Sequence, residues 1–201
     1  MDQYQSLLSK LPANIKLFEV TSAELEKIST LQAPQGVLAL VSIPADAQFD
    51  KGILRNTFSL VLDGIQDPGN LGTMIRTADW FGFKQVICSN HTVEVYNPKT
   101  VQATMGSLSR VNVSYHDLPL FLKDIEIPVF GAMLNGSSLY QTEWGTEGLV
   151  VLGNEGQGVS PEVVDLIDHP VTIPRVGLAE SLNVAVSAAI FCADISRNLN
   201  K

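Results

Sequence analysis

From about residue 58 onward, short apolar runs without polar alternation take turns with stretches whose apolar positions recur at helical spacing. The runs FSLVLDGI (58–65), QVICSN (85–90), VNVSYH (111–116), IPVFGAML (127–134), LVVLGNEG (149–156) and HPVTIPRV (169–176) read as strands. Between and after them, NLGTMIRTADWFGF (70–83), VYNPKTVQATMGSL (95–108), DLPLFLKDI (117–125), PEVVDLID (161–168) and ESLNVAVSAAIFCADISRNLN (180–200) read as helices. Strands that are apolar on both faces, interleaved with helices, predict an α/β domain with a parallel sheet covered on both sides. The first 43 residues form a different pattern. IKLFEV (15–20) and GVLALV (36–41) read as strands flanking a helix that Thr21 and Glu24 open as a capping box. That piece is too small to bury a core of its own, and the Pro, Asp and Gly connector SIPADAQFDKG (42–52) separates it from the rest. The expected organisation is a partial amino-terminal domain over 1–43, a linker over 44–57 and a main domain over 58–201.

Three segments carry polar residues that a plain strand-to-helix turn does not require. In DGIQDPGNLGTMIRTADWFG (63–82), Asp67-Pro68-Gly69 is turn chemistry and Asn70 suits the N-cap of the following helix. Leu71, Ile75, Ala78 and Phe81 share one helical stripe, which should face the sheet. Gly72 and Arg76 stand one turn apart, so that a missing side chain would admit a ligand within reach of a guanidinium, a group suited to phosphate. The alternative for Arg76 is a surface ion pair with Asp79. In LVVLGNEGQGVSPEVV (149–164), the spacing of Gly153, Gly156 and Gly158 is not that of a dinucleotide fingerprint, and no Gly-Lys-Ser/Thr follows. Glu155 also carries the wrong sign for a pyrophosphate, so NAD and ATP are disfavoured. Ser160 and Pro161 mark the start of a helix. In VTIPRVGLAESLNVAVSAAIF (171–191), a strand ending at Pro174 leads to a small-residue helix whose first turn holds Ser181 and Asn183.

Composition narrows the function classes. Acidic residues number 21 against 13 basic ones, giving a net charge of −8, which disfavours a general nucleic-acid coat. Cys88 and Cys192 lie in apolar stretches and read as buried thiols of a reducing compartment, while His91, His116 and His169 lack metal-ligand spacing. No zinc or other metal site is expected. The amino terminus does not resemble a targeting signal and no apolar run spans a bilayer, so a soluble, cytoplasmic protein without membrane partners is expected.

Taken in order, Asn70-x-Gly72-x-x-x-Arg76, Gly153-Asn154-Glu155-Gly156-x-Gly158 and Ile173-Pro174 followed by Ser181-Leu182-Asn183-Val184-Ala185 resemble the SpoU/TrmH family of RNA ribose 2′-O-methyltransferases, within the SPOUT superfamily. The resemblance covers roughly residues 58–199 and extends to NPKTVQATMGSLSRVNV (97–113). It implies a sheet whose carboxyl-terminal part is threaded into a trefoil knot, and a homodimer formed through that region. It also implies S-adenosylmethionine as methyl donor, held largely by backbone around Ala132, Leu152, Gly153, Gly156, Gly158, Ile173 and Leu182. Arg76 takes the family's catalytic position, with Asn70, Glu155, Ser181 and Asn183 orienting it, the donor and the ribose. The implied substrate is structured RNA, ribosomal rather than transfer RNA, because the amino-terminal 40 residues resemble the latter part of the family's substrate-binding domain. Two rivals are a non-methylating RNA-binding protein on the same scaffold and a Rossmann-type oxidoreductase, which lacks its fingerprint here. By region, residues 131–201 hold eight acidic and three basic side chains, whereas 70–115 hold Arg76, Lys84, Lys99 and Arg110 against Asp79 and Glu94. The expected RNA face is therefore the locally basic one.

Overall fold

The computed structural model describes residues 9–199 except 13, 30, 32, 35 and 44–48. The chain divides into two compact units, Met1–Pro44 and Ala45–Lys201. In the first, helix α1 (Ser22–Ile28) forms behind the expected capping box: the Glu24 N–H donates to Thr21 Oγ1, and the Thr21 N–H donates to Glu24. The expected strands at 15–20 and 36–41 do not form; both segments are extended without a ladder. A strand requires a partner for its main-chain groups. None pairs with these segments among the described residues, and Phe18, Leu40 and Val41 are exposed.

The second unit is built on a six-stranded sheet, wholly parallel, in the order β3-β2-β1-β5-β4-β6. The strands are β1 (Phe58–Asp63), β2 (Gln85–Ser89), β3 (Asn112–His116), β4 (Val129–Ser138), β5 (Gly148–Gly153) and β6 (His169–Thr172). β1, β2 and nearly all of β5 are buried along their length, as continuous apolar runs between two helical layers should be. The helices are α2 (Pro68–Trp80), α3 (Pro98–Ala103), α4 (Leu118–Lys123), α5 (Pro161–Val164) and α6 (Val184–Leu199). Leu71, Met74, Ile75 and Ala78 of α2 share one core with Ala188, Phe191, Cys192 and Ile195 of α6. Leu118, Phe121 and Leu122 of α4 and Val163 of α5 share the other, across the sheet. Both thiols are buried and free. Burial pushes the Cys192 thiol up to about 12 and the Cys88 thiol higher still.

Several boundaries differ from the sequence reading for definite reasons. β4 runs on through the polar Asn135-Gly-Ser-Ser, because the pairing with β6 slips: Ala132 and Ser137 both stand opposite Val171. β6 ends at Thr172, not Pro174, and α5 is one turn, ending at Val164. Within the expected linker, Lys51–Leu54 forms a 3-10 turn with Leu54 fully buried in the second core; residues 44–48 lie outside the described residues. Beyond β6, at the edge of the sheet, the chain comes back so that α6 packs against α2 and β5.

Candidate active site

The three motifs meet at the carboxyl ends of the central strands. Asn70 is not the cap of α2. Asp67 is, its carboxylate accepting the Asn70 N–H at 2.7 Å. The Asn70 side chain is thereby free: its Nδ2 donates to Glu155 Oε1 at 2.8 Å, and its Oδ1 accepts from Asn183 Nδ2 at 3.0 Å. Asn183 in turn caps α6, its Oδ1 accepting the N–H groups of Ala185 and Val186. The helix therefore begins at Val184, and Asn183 precedes its first turn instead of lying within it. The result is a one-way chain of two amides ending on a carboxylate, Asn183 to Asn70 to Glu155, across sequence separations of 113 and 85 residues.

Arg76 is exposed on α2, and no carboxylate pairs with it among the described residues. Asp79 is unavailable to it, because Arg110 holds that carboxylate at 2.7 Å and draws it below the usual carboxylate range. The i, i+3 pairing considered for Arg76 is thus overturned in favour of a contact 31 residues away. The reason given for Gly72 is overturned as well. The space before it is filled by α3: a Cβ there would stand 2.5 Å from Ala103 Cβ and 2.6 Å from the Thr100 carbonyl. Gly72 lets two helices touch and does not admit a ligand.

The β5–α5 loop is folded on itself. Asn154 and Gly158 exchange main-chain hydrogen bonds at 2.9 Å, and Asn154 Oδ1 accepts from the Gly156 and Gln157 N–H groups. A Cβ on Gly153 would lie 2.2 Å from the Gly158 carbonyl carbon, and Gly158 has φ of +74°. Both glycines are thus required by the loop itself, which presents Glu155 outward. Ser160 occupies the N-cap position of α5, but its hydroxyl makes no cap bond; its N–H donates to Asp63 Oδ2 at 2.8 Å.

Of the remaining expected residues, Leu152, Gly153 and Ile173 lie at or just beyond the carboxyl ends of β5 and β6, and Ala132 lies within β4, where its pairing with β6 slips. The Leu152 side chain is in the core, so only its main chain can meet a ligand. Gly156 is exposed on the loop tip, Leu182 is half exposed, and Ser181 is exposed with no hydrogen bond among the described residues. The sequence reading missed Asp67, whose capping frees Asn70. The signal was present: Asp three residues before a potential N3 amide, followed by Pro at N1, is a complete helix start. No group of three His, Cys, Asp or Glu side chains among the described residues could hold a metal ion.

Between α2 and α6 runs an open, mainly apolar groove of about 550 Å³, with Thr73, Phe81, Val186 and Ile190 among its walls and Asn70 and Asn183 at its margin. No helix among the described residues is long and apolar enough to cross a membrane.

Residues 57–193 match the model of the SpoU rRNA Methylase family. The chain is 32% identical over 186 residues to the 23S rRNA (guanosine(2553)-2′-O)-methyltransferase RlmP of Bacillus subtilis, covering 90% of this chain and 73% of that one. A TrmH-family protein of Porphyromonas gingivalis superposes with a TM-score of 0.86 at 38% identity, over 96% of this chain and 80% of its own. The SpoU methyltransferase AviRb of Streptomyces viridochromogenes, solved in complex with the cofactor AdoMet, superposes with a TM-score of 0.76 at 27% identity, over 90% and 80%.

Proposed function

The chain belongs to the SpoU rRNA Methylase family, and we propose that it transfers a methyl group from S-adenosylmethionine to a ribose 2′-hydroxyl of structured RNA, ribosomal rather than transfer RNA. One observation carries this reading at the level of atoms. Three motifs far apart in sequence are joined by the hydrogen-bonded chain Asn183–Asn70–Glu155, and the helix that carries Asn70 also presents Arg76, which has no carboxylate partner among the described residues.

S-adenosylmethionine supplies an electrophilic methyl on a sulfonium, which becomes a neutral thioether as the 2′-oxygen bonds to carbon and its proton departs. Little new charge is created, so the protein's main tasks are to align oxygen with carbon and to receive one proton. A guanidinium is no simple base, so binding and orientation fall to Arg76 and proton removal does not. Its guanidinium clamps the phosphate beside the target ribose and polarises the 2′-oxygen, the proton passing to phosphate or water. The amide chain fixes the position of Glu155, and Ser181, without a hydrogen bond among the described residues, is available to substrate. The residues at the ends of β5 and β6, together with Ala132 of β4, fit the donor. The β4–β6 ladder is interrupted after Ala132, and the half-buried Ala132 and Ile173 offer an apolar bed beside main-chain groups of Leu152 and Gly153. Gly156, Gly158 and Leu182 complete the candidate binding set.

The homodimer belongs to the same reading: the apolar groove between α2 and α6 lies open, and a second copy seated there would adjoin Asn70 and Asn183. So does the trefoil knot, supported by the return of the chain from the edge strand β6 to pack α6 on β5 and α2. The first unit, with the connector, would serve as the RNA-binding part, and a cytoplasmic site of action accords with two free, buried thiols. The direct test is incubation with S-adenosylmethionine and, separately, ribosomal and transfer RNA from a strain lacking the gene, followed by mass-spectrometric mapping. A single new 2′-O-methyl nucleotide is expected; methyl incorporation into transfer RNA alone would contradict the substrate assignment.

A further inference from the structure

β1 and β5 are adjacent and parallel, yet the helices that follow them lie on opposite faces of the sheet: α2 in one core and Val163 of α5 in the other. Where neighbouring strands send the chain to opposite faces, a crevice opens at their carboxyl ends, and open α/β sheets bind ligands there. A cavity of about 370 Å³ lies at this point, lined by Asp63, Gln66, His91, Asn154, Gln157 and Ser160 among others. Its volume falls at the low end of the range of small-molecule sites. Arg76, Ser181 and Asn183 do not line it, but Asn154 and Gln157 belong to the loop that presents Glu155.

Asp63 is the unusual member. It is 8% exposed and accepts one hydrogen bond, from the Ser160 N–H to Oδ2; its Oδ1 has no donor and it has no ion pair among the described residues. The protein's own amide donors nearby are turned elsewhere. Gln66 Nε2 donates to the carbonyls of His91 and Gly64, and Asn154 Nδ2 donates to the Gly64 carbonyl at 2.8 Å. A carboxylate has roughly four acceptor positions, and among the described residues only the Ser160 N–H serves this one, which leaves Oδ1 open to donors that a ligand in the cavity would bring.

We propose that this crevice is a nucleobase pocket that reads a guanine of the substrate RNA, the Asp63 carboxylate accepting the adjacent imino and amino N–H groups of the base. Guanine sets two N–H donors side by side on its Watson–Crick edge, the edge that splayed RNA bases present to side chains. Uracil presents one N–H between two carbonyls that repel a carboxylate; adenine and cytosine present one amino group beside a ring acceptor. The Gln157 and His91 side chains, which have no hydrogen bonds among the described residues, stand ready for the remaining polar atoms. The inference rests on the RNA-methyltransferase reading for its substrate but not for its test.

The test is a titration of the full chain with the four nucleoside 5′-monophosphates, followed by amide NMR shifts, with calorimetric titration of S-adenosylmethionine on the same sample. The phosphate is common to all four, so differences report the base. GMP should move the amides of residues 64, 91 and 154–160 and bind about tenfold more tightly than UMP, the discrimination a good bidentate contact provides. Asp63→Asn keeps an acceptor for the Ser160 N–H while replacing the second oxygen with a donor, so it should abolish the preference for GMP. Should that variant fail to fold, Gln157→Ala, on an exposed loop, should weaken GMP about threefold. If no monophosphate moves these amides, or if GMP binds Asp63→Asn as well as wild type, the pocket assignment is wrong. Retained S-adenosylmethionine binding in that case leaves the enzymatic reading intact, whereas absent S-adenosylmethionine binding overturns that reading separately.

Discussion

Helices α2 and α6 begin in the same corner of the molecule and solve the same problem, unsatisfied N–H groups in the first turn, in different ways. At α2 the tasks are divided: Asp67 caps, and Asn70, three residues on, is released to bridge Glu155 and Asn183. At α6 they are combined: Asn183 caps with its oxygen and joins the site with its nitrogen. Divided roles mean that loss of the Asp67 cap removes a bond to the Asn70 main chain and leaves its side-chain bonds to Glu155 and Asn183 with their own donors and acceptors. Combined roles couple the two, so that one substitution should cost both stability and activity.

The sharpest break is therefore at Asn183. Asn183→Ala should lose about 1 kcal/mol of stability with the cap and also disconnect Asn70. Asn183→Asp separates the effects. The carboxylate still caps α6, but it now faces Asn70 Oδ1, and Asn70 cannot turn its amide over without setting that oxygen against Glu155. Denaturant unfolding should stay within about 0.5 kcal/mol of wild type for the Asp variant, while single-turnover methylation should fall about a hundredfold. Equal loss of rate and stability in both variants would dissolve the distinction.

Gly72→Ala probes the α2 side at its packing contact. The added methyl would overlap Ala103 and the Thr100 carbonyl, so a loss of about 1–3 kcal/mol in chemical denaturation is expected. Smaller again is Asp67→Ala, which should cost about 1 kcal/mol and leave the rate at saturating RNA unchanged if capping and chemistry are divided at α2. Smallest is a pH effect remote from both helices. His116 packs against Phe49 and Phe121, with Lys51 nearby, and burial first, then the Lys51 charge, hold its pKa below the usual histidine value. The folded form thus binds its proton less readily than the unfolded chain. Its contribution is complete above the unfolded pKa of about 6.5 and is lost as pH falls toward the lower folded value. The Tm of wild type should accordingly drop slightly more between pH 7 and 5.5 than that of His116→Phe.

The motifs were legible in sequence because their chemistry is local: turn residues, caps and small residues announce strand-to-helix joints wherever they occur. The parallel sheet was legible from unalternating strands. What remained hidden depends on partners distant in sequence. Gly72 read as an opening because α3, which fills the space, lies some 30 residues on. Arg76 read as a candidate partner for Asp79 because Arg110, the actual partner, is invisible to helical spacing. The strand character of 15–20 and 36–41 was a statement about side chains, and side chains alone do not supply a ladder. Asn70 was given the work of Asp67, since both residue types suit an N-cap. The charge reading sharpens in the same way: with Arg110 held by Asp79, the basic character of 70–115 rests on Arg76, Lys84 and Lys99.

The central claim is that the guanidinium of Arg76, on the helix that carries Asn70 and without a carboxylate partner among the described residues, aligns the ribose for methyl transfer. It is tested most directly by the single-turnover rate of Arg76→Ala and Arg76→Lys at saturating RNA and S-adenosylmethionine. The account predicts a fall of about a hundredfold or more for the Ala variant, with partial retention in Lys, which keeps the charge but loses the bidentate contact. A near-normal rate for Arg76→Ala under those conditions would contradict it.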